Sequence, residues 1–205
     1  MENMDPKEKI LNTAMELFAR KGFFNTSIRE ITKKSDTNIA SVNYYFGSKV
    51  NLAISLIEKI ILPINKVRIN QLETYLLEND HISTRGIVKI FIEPVFDVII
   101  NNERGILAHE FLNRIIISGS EEIKFFFHSL MMPVLNEFLN ALSKCNENLA
   151  REELVERLLF SIGSMQHSII MISGVYFKSS IFKVEFKKEK VIENLIGFVV
   201  RGIEG

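Results

Sequence analysis

Residues 35–52 read SDTNIASVNYYFGSKVNL: a polar turn, a short segment ending in Tyr44-Tyr45-Phe46, and a Gly47-Ser48 step into Lys49. Taken as a helix from about Ile39 to Phe46, the segment places Ile39, Val42 and Phe46 on one face at i, i+3 and i+7. Ala40, Ser41 and Tyr44 then share the opposite face, with Asn43 and Tyr45 on its flanks. That face has no acidic residue and no long side chain before Tyr44. Small residues near a helix N-terminus allow close approach, and hydroxyl and amide groups can reach base edges or phosphates. A helix, short turn and helix whose second member presents such a face suits reading of a DNA major groove. On spacing alone, the exposed face of an ordinary helical hairpin is the competing reading.

Lys49 bears on that choice. It opens the next helix, where the helix dipole disfavours a cation by about 0.3–1 kcal/mol, a position that suits a Lys if a phosphate also binds there. The expectation is that Tyr45 and Lys49 hold one strand's phosphates while Ser41, Asn43 and Tyr44 face the groove and Phe46 anchors the helix.

Outward from this stretch the pattern stays helical. Asp5 is placed to cap a first helix that begins at Pro6, buries Ile10, Ala14, Leu17 and Phe18, and ends at Gly22. Thr26 or Ser27 caps a second helix to about Ser35, with Glu30 completing a capping box and Ile28 and Ile31 facing inward. Between Arg20 and Lys49 six basic residues (Arg20, Lys21, Arg29, Lys33, Lys34, Lys49) face two acids (Glu30, Asp36), a local excess on a chain of zero formal net charge. Such a patch is the electrostatic mark of a nucleic-acid binder. Ser48 is the expected N-cap of a long helix to about Leu77, bent near Pro63. Further helices are expected at about 84–101, 103–117, 121–143, 152–177 and 188–203. The expected organisation is a small head, residues 1–47, and a large helical body, residues 48–205.

The stretch from Lys9 to Leu52 resembles the N-terminal DNA-binding domain of the TetR (tetracycline-repressor-like) family of bacterial transcription regulators. The resemblance rests on the A-x-x-L-F-x-x-x-G-F pattern of the first helix, T-S-I-R-E-I of the second, and the Y-F-x-S-K junction. It implies an all-α fold, with an N-terminal three-helix helix-turn-helix DNA-binding domain and a larger C-terminal helical domain for dimerisation and ligand binding. It also implies a homodimer on a palindromic operator in double-stranded DNA, released by a small-molecule effector. Carried over by position, Thr26 or Ser27 and Arg29 lie near phosphates, Ala40, Ser41 and Tyr44 near bases, and Tyr45 and Lys49 on phosphates. The chain departs from the family at Asp36, where Gly is common, and at Asn43, where Tyr is common. Asp tolerates the turn, and Asn can pair bidentately with an adenine edge.

In the body, the last two helices are apolar enough to cap their own core or to meet a second copy as a four-helix interface. Leu158, Ile162, Ile169, Leu195 and Val199 are the expected dimer contacts. Phe and Met suit adaptable apolar cavities, so Phe111, Phe127, Met131 and Met165 are candidate ligand-lining residues. His109, Asn113, His128 and Gln166 could orient the ligand, and the scarcity of charge there suggests a mainly apolar effector.

Other function classes find little support. No H-E-x-x-H or C-x-x-C spacing calls for a metal, no phosphate loop calls for a nucleotide cofactor, and no nucleophile, base and acid pattern marks an enzyme. One cysteine, Cys145, allows no internal disulfide. The N-terminus does not read as a signal peptide, and apolar runs stop short of the roughly 20 residues a membrane span needs, so a soluble cytoplasmic protein is expected. A ligand-independent architectural or interaction protein of the same fold is the alternative to the regulator.

Overall fold

A computed structural model describes residues 5–102, 104–173 and 187–205. Among them the regular structure is helical: α1 (Pro6–Lys21), α2 (Ile28–Ser35), α3 (Ile39–Phe46), α4 (Lys49–Glu78), α5 (Thr84–Ile100), α6 (Gly105–Ser118), α7 (Glu121–Cys145), α8 (Arg151–Ile172) and α9 (Lys188–Glu204). The expected extension of the eighth helix over residues 174–177 lies outside the described residues. No described helix is long and apolar enough to cross a membrane.

The chain divides into two compact units. The first takes residues up to Pro63 together with Leu107–Met132, and the second takes Ile64–Ile106 and Pro133–Gly205. α4 and α7 therefore each contribute to both units, and the division in each falls at a proline, Pro63 and Pro133. A proline inside a helix removes one backbone hydrogen bond and favours a bend there. The expected head and body cut the chain once, between 47 and 48; the compact units also gather α6 and part of α7 with the head.

In the first unit local signals set the helix ends. The Asp5 carboxylate accepts a hydrogen bond from Lys7 N at 3.1 Å ahead of Pro6, and Gly22 ends α1 with φ 84°. α1 buries Ile10, Leu11, Ala14, Met15, Leu17 and Phe18. Phe18 stacks on Phe111 of α6 with ring centroids 6.2 Å apart. Both rings are almost fully buried, and burial of such a side chain is worth roughly 1.5–3 kcal/mol. Phe111, expected to line a ligand cavity, is thus part of the core that supports α1.

The second unit packs α5, α8 and α9 together. Arg157 secures the end of α9: its Nη1 donates to Ile203 O at 2.7 Å and Gly202 O at 3.2 Å, and its Nη2 to Glu153 at 2.6 Å. A cation bonded to the last carbonyls of a helix satisfies acceptors that have no intrahelical donor.

Candidate nucleic-acid interface

α2 and α3 meet through a tight, side-chain-capped turn. Ser27 accepts from Glu30 N at 3.1 Å and starts α2. The reciprocal half of the expected capping box is replaced by an ion pair, because the Glu30 carboxylate engages Lys21. Asp36 ends α2 in the left-handed region with φ 52°, a conformation Asp tolerates better than most side chains. Ser35 and Thr37 hydroxyls lie 2.7 Å apart across the turn. Asn38 then caps α3, its Oδ1 accepting from Ser41 N at 2.8 Å and from the Ser41 hydroxyl at 3.1 Å. Gly47, at φ 74°, closes α3 within one residue.

Val42 and Phe46 face the core as expected, and both are buried. Ile39 does not: it is 43% exposed. It is the first residue of α3, with no preceding helical turn to pack its side chain against the core. Its exposure adds an apolar group of the kind that contacts a thymine methyl. The signal for it was the cap at Asn38, which fixes Ile39 at the helix start. Ala40, Asn43, Tyr44 and Tyr45 are exposed, Ser41 half-buried, and Tyr44 is the most open at 84%. Tyr44 and Tyr45 rings meet edge to face at 5.1 Å, which restricts both. The outward face of α3 therefore carries hydroxyl, amide and apolar groups, none of them acidic.

Two residues expected on phosphates have internal roles. Thr26 is 1% exposed, and its hydroxyl donates to Gly22 O at 2.9 Å and is 3.3 Å from Leu17 O. It ties the α1–α2 connection to the end of α1. Lys49 donates its ammonium to Phe23 O and Thr26 O, both at 3.0 Å, and lies 4.3 Å from the Phe23 ring centroid. Burial holds its pKa below the usual lysine value. Two of its three N–H donors thus join the start of α4 to the α1–α2 connection. The loop carbonyls answer the question of why a cation stands at a helix N-terminus.

Neutralisation thins the basic patch. Arg20 and Lys34 both pair with Glu16, at 3.3 and 2.7 Å, and Lys21 pairs with Glu30. Arg29 and Lys33 are exposed and have no ion-pair partner among the described residues. They are the cations open to a phosphate.

The ligand candidates do not form one cluster. His109, Phe111, Asn113, Phe127, His128 and Met131 belong to the first unit, Met165 and Gln166 to the second. His109 is buried, with Asn113 Nδ2 3.2 Å from its Nε2, while His128 is exposed. Of the expected dimer residues, Leu158, Ile169, Leu195 and Val199 are buried, and Ile162 is half-buried. The large apolar groups left open on α8 and α9 are instead Leu159, Phe160 and Phe198, with Phe160 73% exposed. They flank an open hollow of about 710 Å³ that His167, Met171 and Leu195 also line.

Comparison with known proteins agrees with this architecture. The family described as "Bacterial regulatory proteins, tetR family" matches residues 10–56, and the family described as "Tetracyclin repressor-like, C-terminal domain" matches residues 89–202. The Probable HTH-type transcriptional regulator YttP of Bacillus subtilis (strain 168) is 37% identical over 93 residues, 45% of this chain and 42% of its own length. The chain thus spans less than half the length of that relative. The biofilm operon icaADBC HTH-type negative transcriptional regulator IcaR of Staphylococcus epidermidis is 24% identical over 155 residues, 75% of this chain and 78% of its own length. Among solved structures, the TetR family transcriptional regulator PfmR from Thermus thermophilus shares the fold with a TM-score of 0.61 at 18% identity, covering 96% of each chain.

Proposed function

This chain belongs to the TetR family of bacterial regulatory proteins, and on that premise we propose that it is a homodimeric repressor of transcription. It binds a palindromic operator through α3 and lets go when a small effector occupies its C-terminal domain. The observation that carries the reading is the outward face of α3, where Ala40, Ser41, Asn43 and Tyr44 stand open on a helix held by Asn38, Val42 and Phe46. In this reading Asn43 and Tyr44 read base edges, with Ile39 and Ala40 in apolar contact. Ser27, Arg29 and Tyr45 hold phosphates, and Lys49 offers a phosphate only its remaining N–H.

A single recognition helix reads only a half-site, so two copies are needed. The exposed apolar side chains of α8 and α9, chiefly Leu159, Phe160 and Phe198, supply the self-complementary surface. The inward Leu158, Ile169 and Val199 set the angle of those helices. α4 carries Lys49 at one end and belongs to both units. An effector with different affinity for two α4 conformations shifts the population between DNA-competent and released dimers. The protein acts in the cytoplasm, where the operator is.

The test is selection of a random duplex library by the purified protein at near-physiological salt. An enriched palindrome with two half-sites is expected. Salt-sensitive binding without enrichment would overturn the sequence-specific reading.

A further inference from the structure

Within the second unit, Arg68 is only 3% exposed, in the buried row Ile64, Arg68, Leu72 of α4. Arg is almost never fully buried unless it is paired. Its Nε donates to Phe91 O at 2.8 Å, and its guanidinium lies 4.0 Å from the Phe91 ring centroid. Phe91 is in turn held edge to face by Phe138 at 5.0 Å, and Phe138 is fully buried. The guanidinium is therefore fixed in position. Nη2 is buried and has no hydrogen-bond acceptor, and no described carboxylate lies within ion-pair distance. The nearby Glu93 is engaged by Lys89 at 3.7 Å. Burial lowers the Arg68 pKa to about 9, still above neutrality, so the group carries its charge at pH 7. A buried charge without a counter-ion is costly, and an anion that pairs with it recovers part of that cost.

We propose that Arg68 anchors an interior site for a small carboxylate with an apolar body. A carboxylate matches a single guanidinium in charge and offers the planar pair of oxygens that Arg binds well. A phosphate dianion would need further donors or a second cation. The Phe91 and Phe138 rings around the head suit an apolar body. Because Arg68 is enclosed, the packing around it must part to admit the ligand, which is what a switch at α4 requires. This names the class of effector and rests on the ligand-responsive reading above.

The experiment is calorimetric titration of the full chain, without DNA, using C4 to C10 straight-chain carboxylates and benzoate, each against its neutral amide, with octyl phosphate as a further arm. At least one carboxylate is expected to bind about tenfold more tightly than its amide. Arg68→Met, checked for cooperative thermal unfolding, is expected to abolish that preference, and Arg68→Lys to weaken it. Any of three results would overturn the proposal: no carboxylate preferred over its amide, the preference retained in Arg68→Met, or octyl phosphate binding more tightly than octanoate. Since the readout needs no operator, failure here is separate from failure to enrich a palindrome.

Discussion

Lys49 and Arg68 are two cations on one helix, each resting on a phenylalanine ring, 4.3 Å from Phe23 in one case and 4.0 Å from Phe91 in the other. Their surroundings differ in what is left over. Lys49 is half-buried and gives two of its three N–H groups to loop carbonyls. Arg68 is almost wholly enclosed, has one carbonyl, and keeps a buried nitrogen without an acceptor. A cation whose donors are met acts as a strut. One buried with a donor unmet holds the fold at a cost and keeps its affinity for an anion. The aromatic contact is common to both; hydrogen-bond satisfaction separates the roles.

The same substitution at the two sites should then act with opposite sign. Lys49→Met strands the Phe23 and Thr26 carbonyls and is expected to cost about 1–2 kcal/mol in urea unfolding. Arg68→Met removes an uncompensated buried charge for a side chain of similar length and is expected to raise stability by about 1 kcal/mol. If both variants lose stability alike, the contrast between strut and anion anchor fails. Arg29 sharpens it from a third side, as an exposed cation with no ion-pair partner among the described residues. Arg29→Ala should leave unfolding within about 0.5 kcal/mol of the parent and lower the slope of log affinity against log salt by about 0.9. A slope unchanged in Arg29→Ala but flattened in a Lys49 variant would return the phosphate contact to Lys49.

The helix ends were legible because their signals are local: Asp5 before Pro6, Ser27 with Glu30, Gly22 and Gly47 after the last apolar residue. So were Val42 and Phe46 as the inner face of α3. Side chains at positions where spacing allows two directions were less legible. Thr26 and Ser27 are adjacent and chemically alike, yet one hydroxyl turns into the α1–α2 connection and the other caps α2. Lys49 read as an anion site because the carbonyls it meets lie 23 and 26 residues earlier in the chain. On α8 and α9 the apolar rows are wide enough to bury one side and leave Leu159, Phe160 and Phe198 outside. Arg68 did carry a signal: it interrupts a row of apolar residues four apart, from Ile64 to Leu72.

The most direct measurement of the central claim, that the outer face of α3 reads DNA, is the duplex selection run in parallel on the parent and on Ala40→Glu. Ala40 is exposed, so a carboxylate there should leave the melting temperature unchanged while setting a negative charge against the operator. The account expects the parent to enrich a palindrome and Ala40→Glu to enrich none. Enrichment of the same palindrome by both proteins would contradict it.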